Sequence, residues 1–216
     1  MNNRKVRIAV EGNIGCGKST FLEEIKTLHP NIEVFPEPID KWMNVDSFNL
    51  FENFYVTPHK WCSPFRSYVM TTISDQLSKP QTARVRLIER SIHSNFHCFT
   101  EANRDSGFIS DGDYEVIKKY FDYLCSLPIF KLDSIIYLRS TPEICAERIK
   151  QRQRKGEEGI KIEYLEKLHD LHEKWLIEST RNLPAPLIIF DCTQSKDEVR
   201  RLYRENKEKI LFGVRV

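Results

Sequence analysis

The sequence predicts an α/β protein of three layers, a five-stranded parallel sheet flanked by helices, with an arginine-rich lid. Two observations carry that prediction. The stretch "VEGNIGCGKST" (Val10 to Thr20) holds the pattern G-x-x-x-x-G-K-[ST] between an apolar run and a helical one. Five short β-rich runs then alternate with long segments of helical periodicity, as expected of a parallel sheet covered on both faces.

The first run, "VRIAVE" (Val6 to Glu11), suits a buried strand. The loop after it comprises Gly12, Asn13, Ile14, Gly15, Cys16, Gly17, Lys18 and Ser19, with Thr20 following. Its glycines let successive backbone N–H groups point at phosphate oxygens, Lys18 reaches the outer phosphates, and the Ser19 hydroxyl suits a magnesium ion. "STFLEEIKTL" has helical spacing at Phe21, Leu22, Ile25 and Leu28, so the anion site lies at a helix N-terminus. A chance glycine-rich turn is the bland alternative.

In open α/β sheets, ligands gather beyond the carboxyl ends of the strands. After the second run, "IEVF", Glu37 stands between Pro36 and Pro38 and is held on a stiff segment. It is either a base for an attacking hydroxyl or an ordinary loop glutamate paired with a lysine. Asp46 to Leu77 reads as helical, and aromatics crowd the middle of the chain: Trp42, Phe48, Phe51, Phe54, Tyr55, Trp61, Phe65, Tyr68, Phe96 and Phe99. Most of such a set is core, and a few rings facing the crevice would make a slot for a planar base.

The third run, "VRLIE", leads into Glu89 and Arg90 and a helical segment from Ser91 to Ala102. Glu89 is where a magnesium ligand belongs, and Arg90 suits an acceptor hydroxyl or a moving phosphoryl group; a structural salt bridge is the alternative. Tyr114 to Leu127 reads as another helix. The fourth run, "SIIYLR", is followed by Thr141 as N-cap, Pro142 at the first helical position, and a helix to Arg154. Arg148, Lys150, Arg152, Arg154 and Lys155, with Gly156 and Gly159 beyond, form either a solvated basic helix end or a mobile lid over about residues 148–159. His169 and His172 share a helix face without further ligands at metal spacing, which favours packing or surface roles over zinc. "LIIFD" near Ile189 is the fifth strand.

The 216 residues, 40% hydrophobic and 30% charged, carry no repeat or linker, so one domain over 1–216 is expected. A net charge of +2 does not point to nucleic acid as a partner. No apolar run approaches the ~18 residues of a membrane span. The first run begins almost at once after Met1, which leaves the expectation of no signal or transit peptide and a cytoplasmic protein, with a nuclear pool left open. Six cysteines lack C-x-x-C spacing and read as reduced thiols.

Taken together, "IAVEGNIGCGKST", "PEPIDKWMNV", "NLFENFYVTPHKWCSPFRSYV", "IERSIHSNFHCF" and "IIYLRSTPEICAERIKQRQRKGEEGIKIEYLEKLHDLHEKWL" resemble, in order and nearly end to end, the P-loop deoxyribonucleoside kinases of animals and some of their viruses. The insect multisubstrate and thymidine kinase 2 branch looks nearest. The resemblance implies the three-layer P-loop kinase fold and transfer of the ATP γ-phosphate to the 5′-hydroxyl of a small-molecule deoxynucleoside in nucleotide salvage, with Mg2+ and a homodimer. It implies Glu37 as general base with Arg90 beside it. Ser19 and Glu89 fall on the magnesium side, and Lys18 with the loop from Gly12 to Thr20 on the ATP phosphates. Tyr55 and Glu157 fall on the sugar 3′-hydroxyl, Trp42, Phe65 and Phe99 on the base, and Arg148, Arg152 and Arg154 on the lid.

Two positions depart from the family pattern. Arg66 stands where the family has a base-reading glutamine, and Asn95 where its branches have alanine or aspartate. Arginine only donates, so it opposes thymine N3–H and suits paired acceptors such as cytosine N3 and O2 or guanine O6 and N7. Asn95 can accept what Arg66 cannot; alternatively Arg66 turns away to Glu52. The base preference stays open on these residues. The rival functions are a thymidylate-type monophosphate kinase, which would need a cationic pocket where Glu37 stands, and a non-catalytic accessory subunit of the same fold, which would not need Lys18, Glu37, Glu89, Arg90 and Arg152 together.

Overall fold

The structure, a computed structural model, describes residues 4–154, 156–157, 159–178 and 183–214. The five β-rich runs are strands β1 (Val6–Glu11), β2 (Glu33–Phe35), β3 (Val85–Glu89), β4 (Ser134–Arg139) and β5 (Leu187–Asp191). All pair in parallel, in the order β2-β3-β1-β4-β5. β1 is central, with Val10 opposite Glu89 on β3 and Glu11 opposite Tyr137 on β4. The carboxyl ends of β1 and β3 therefore lie side by side, where a crevice for ligands forms.

Helices cover both faces, which is why the central strands are apolar almost throughout. On one face α1 (Lys18–Leu28) sets Phe21, Leu22 and Ile25 against Ile8 and Val10, together with Val199 and Tyr203 of α10 (Lys196–Glu205) and Ile210 of the short α11 (Lys207–Ile210). The other face holds α2 (Ile39–Met43), α3 (Leu50–Val56), α4 (Pro58–Ser78), α5 (Ile92–Ser94), α6 (Glu101–Asp105) and α7 (Asp111–Ser126). α8 (Pro142–Arg152) and α9 (Ile162–Glu173) follow β4. None of the described helices is long and apolar enough to cross a membrane.

The expected helix from Asp46 to Leu77 is broken twice. Asp46 and Ser47 have φ of 47° and 73° in a tight turn closed by a Val45–Phe48 bridge. Thr57 leaves the helical region, at φ −137° and ψ 70°, because the residue before a proline is driven from helical conformation, and Pro58 then starts α4 at its first position. The Ser91–Ala102 segment is helical but contains a π-helical turn, Asn95–Thr100, between α5 and α6. Thr141 caps α8 as expected, its hydroxyl accepting from Ile144 N at 3.4 Å. Helix α10 begins with a reciprocal capping box between Ser195 and Glu198.

Phe21 is fully buried and meets Tyr203 edge-on, with ring centroids 4.7 Å apart, which fastens α10 to the helix that carries the loop lysine. Phe21→Ala should lower unfolding free energy by about 3–5 kcal/mol, read from urea denaturation; a loss under about 1 kcal/mol would show that this contact does not hold the two helices.

Candidate active site

A cleft of about 770 Å³ opens at the carboxyl edge of the sheet. Its floor is the phosphate loop. At Gly12, φ 141°, a Cβ would sit 2.6 Å from the Leu138 carbonyl oxygen, and at Gly15, φ 81°, 2.5 Å from that of Cys145. Only glycine lets the loop press this closely onto β4 and α8. Asn13 is buried under the loop, its amide donating to Leu165 O at 2.8 Å and accepting from Ile14 N at 2.8 Å. Lys18 Nζ donates to the carbonyls of Asn13 at 2.8 Å and Gly12 at 3.3 Å.

The catalytic candidates converge beside this loop. Ser19 Oγ donates to both oxygens of Glu89, at 3.1 and 3.2 Å. Arg90, at the end of β3, has φ 62°, the left-handed region that bulky residues rarely adopt. That twist sends its guanidinium back across the loop, where Nη1 donates to Gly12 O at 2.7 Å and Nε meets Glu37 Oε1 at 2.9 Å. The lysine partner of the bland alternative for Glu37 is not what the structure shows; its partner is the site arginine. Burial weighs against the Arg90 charge, but Glu37, Glu11 and Glu89 outweigh it and raise its pKa. Burial, with the charge of Glu37, raises the pKa of Glu89 against the pull of Lys18, Arg90 and the Ser19 hydroxyl.

Farther in, Trp42, Phe51 and Phe65 pack against one another and line the cleft with Phe99 and Tyr55. Trp42 is fixed by its Nε1–H to Thr72 Oγ1 at 2.9 Å. The π-helical turn carries both Asn95 and Phe99 to the cleft wall, and Phe99 lies under the Arg90 guanidinium at 4.5 Å. Arg66 reaches Asn95, not Glu52, which is held by Asn49 Nδ2 at 2.8 Å. On the α8 side, Arg148 donates to Cys16 O at 3.3 Å and Cys192 O at 3.0 Å. Arg152 and Arg154 pair with Glu157, and Gly156 approaches the Phe51 ring. Tyr55 and Glu157 line the same cleft, and no hydrogen bond joins them among the described residues.

The residues read from sequence as catalytic, phosphate-side, magnesium-side or substrate-side line the cleft except Gly12 and Asn13, which lie beneath it and shape the loop; of the basic run, Lys150 does not line it and Lys155 lies outside the described residues. His172 is buried, its ring stacked on Tyr137 and edge-on to Phe99, consistent with a packing role. Sequence reading passed over Tyr164 of α9 and the Cys192–Lys196 turn beyond β5. The second follows from the rule about strand ends; for Tyr164 the chain gives no local signal. The cleft lining carries eight lysine and arginine side chains against four carboxylates, a balance suited to a polyanion.

A family model described as deoxynucleoside kinase matches residues 8–211. The chain is 38% identical to thymidine kinase 2, mitochondrial, of Homo sapiens, over 96% of its own length and 78% of that protein's. It is 33% identical to deoxycytidine kinase 2 of Gallus gallus (91% of this chain, 86% of that one) and 32% identical to Homo sapiens deoxycytidine kinase (94% and 90%). The chain belongs to the deoxynucleoside kinase family. It is thus an ATP-dependent deoxynucleoside kinase of nucleoside salvage, and the accessory-subunit and monophosphate-kinase alternatives fall away.

This kinase also buries an acid that sequence reading left as the end of a strand. Glu11 is fully buried, accepts from Ser91 Oγ at 2.6 Å, and leaves Oε2 without a partner among the described residues. Burial raises its carboxyl from the ordinary 4.5 to about 7, against the hydrogen bonds of Ser91 and Ser94 and the charges of Arg90 and Lys18. A carboxyl raised by folding is stabilising while protonated, so its contribution is full below about pH 4.5 and is lost as pH rises through 7. Relative to Glu11→Gln, the wild type should lose up to about 3 kcal/mol of unfolding free energy across that window. Urea titrations from pH 5 to 8 that give parallel profiles for the two proteins would refute the shift.

Proposed function

We propose that Glu37 is the general base and that the site moves the γ-phosphoryl group of ATP to the 5′-hydroxyl of a deoxynucleoside. The supporting observation is the Glu37–Arg90 contact of 2.9 Å beside the phosphate loop, on a segment stiffened by two prolines. As the 5′-oxygen attacks phosphorus, its proton passes to the Glu37 carboxylate. The bond from phosphorus to the bridging oxygen breaks and ADP leaves with those electrons. Arg90 orients the carboxylate and stands ready for charge on the transferring group.

Lys18 and the loop amides take the ATP phosphates, with Arg148, Arg152 and Arg154 closing from the lid side. The hydroxyl–carboxylate pair of Ser19 and Glu89 is a set of hard oxygen donors that fits Mg2+, which when bound supplies neutralisation of phosphate charge. Tyr55 and Glu157 would hold the sugar 3′-hydroxyl, with Glu157 exchanging an arginine partner for the substrate. Trp42, Phe65 and Phe99 form the walls of the base slot. A single catalytic unit over residues 1–216, working as a homodimer, belongs to the same proposal.

Glu37→Gln keeps the shape and removes the base. It should lower kcat by about 10²- to 10⁴-fold while the deoxynucleoside Kd moves less than about threefold. Single-turnover transfer and calorimetric binding separate the two quantities; comparable losses in both would sink the general-base role.

A further inference from the structure

Glu11 closes β1 with a side chain that strand pairing does not need, the strand being otherwise apolar apart from Arg7. It is fully buried and does not line the cleft. Its Oε1 accepts from Ser91 Oγ at 2.6 Å, and Oε2 has no hydrogen-bond partner among the described residues. A half-satisfied buried carboxyl is a poor stabiliser, so its place calls for another account. Capping of α5 is not that account. Ser91 and Ser94 close the capping box between themselves, with Ser91 Oγ accepting from His93 N at 3.2 Å and Ser94 Oγ from Ser91 N at 3.4 Å.

The bond from Ser91 to Glu11 instead completes a clamp about Arg90. On one side, Glu89 lies opposite Val10 in the parallel ladder and Arg90 N donates to Val10 O at 3.0 Å. On the other, Ser91 is extended again, at φ −133° and ψ 173°, and is tied to Glu11. One left-handed residue is thus spanned by two bonds to consecutive residues of β1. We propose that Glu11 is a positioning residue for phosphoryl transfer, holding through Ser91 the left-handed turn that aims the Arg90 guanidinium at Glu37. With the clamp released, the strained backbone of Arg90 relaxes and its side chain swings away from the 2.9 Å contact with Glu37. A misplacement of about 1 Å in such a group costs up to about 100-fold in rate. The inference rests on the roles given to Glu37 and Arg90 above.

The test compares the wild type with Glu11→Met, Glu11→Gln, Ser91→Ala and Arg90→Met. It measures single-turnover transfer to thymidine and deoxycytidine, calorimetric Kd for ATP and each nucleoside, and urea stability at pH 8. Methionine fills the space without an acceptor, and an apolar residue in place of a buried charge is often neutral or stabilising. Glu11→Met should slow transfer by about 10- to 100-fold, with each Kd within about threefold and stability not lowered. Glu11→Gln, whose amide oxygen still accepts from Ser91, should keep the rate within about threefold. On the Arg90→Met background, Glu11→Met should cost less than about threefold more, because its effect passes through Arg90. Rate and stability falling together in Glu11→Met, or an equal loss with and without Arg90, would show a merely structural group and overturn the inference. Ser91→Ala leaves Glu11 in place and should repeat the loss of rate; a rate within about threefold of the wild type would overturn the inference even where Glu11→Met does not fold. A fast Glu11→Met beside a slow Arg90→Met would overturn this inference alone. A fast Arg90→Met would overturn the role proposed for Arg90 and this inference with it.

Discussion

The left-handed backbone of Arg90 is the constraint on which the site depends. Parallel pairing brings the ends of β1 and β3 together, and an ordinary extended residue there would continue away from the loop. At φ 62° the chain instead turns, and one side chain joins the Gly12 carbonyl, the Glu37 carboxylate and the Phe99 ring. Such a conformation in a long side chain persists only where its surroundings over-determine it. The hydrogen bond to the phosphate loop and the ion pair to the proline-braced Glu37 do so. The glycine loop, Glu37 and the Phe99 ring are thereby joined through a single guanidinium.

That arrangement concentrates charge where water is scarce. Glu11, Glu89 and Arg90 are buried and Glu37 largely so, with Lys18 among them. Removing several charges from water is unfavourable unless each finds partners, and the ionisation of these groups records how far it does. Arg90 stays firmly charged because three carboxylates face it, whereas Glu11, one oxygen unpaired, and Glu89, beside Glu37, both lean toward protonation. The protein accepts this strain in the one region where polar groups must be preorganised for a polyanionic donor.

Much of this was legible in the chain because local chemistry dictated it. The strands are apolar runs, the loop is a spaced glycine pattern, and Thr141–Pro142 is a capping signal. Residues after the strands line the cleft at the carboxyl edge, as sheet geometry leads one to expect. What stayed hidden depends on relations that periodicity does not encode. A π-helical turn at Asn95–Thr100 has the composition of an α-helix, so periodicity does not mark it. The burial of Glu11 depends on Ser91, 80 residues away, and the orientation of Arg66 on Asn95, 29 away. The break at Thr57–Pro58 was readable and passed over, since the proline rule alone predicts it.

The two ends of the cleft answer the same problem differently. At the phosphate end, cations face carboxylates, so ionic partners are internal and the site is held rigid before substrate arrives. At the aromatic end, Arg66 has aromatic faces and one amide oxygen around it and no described carboxylate in an ion pair with it. Aromatic rings compensate a guanidinium only in part. The remaining demand is directional, for acceptors in the plane of the fork, and it lies in the wall of a slot whose other surfaces are flat and apolar. A carboxylate at position 95 would have neutralised Arg66 and spent its donors within the protein. Asparagine holds the guanidinium through its amide oxygen and adds no counter-charge to it.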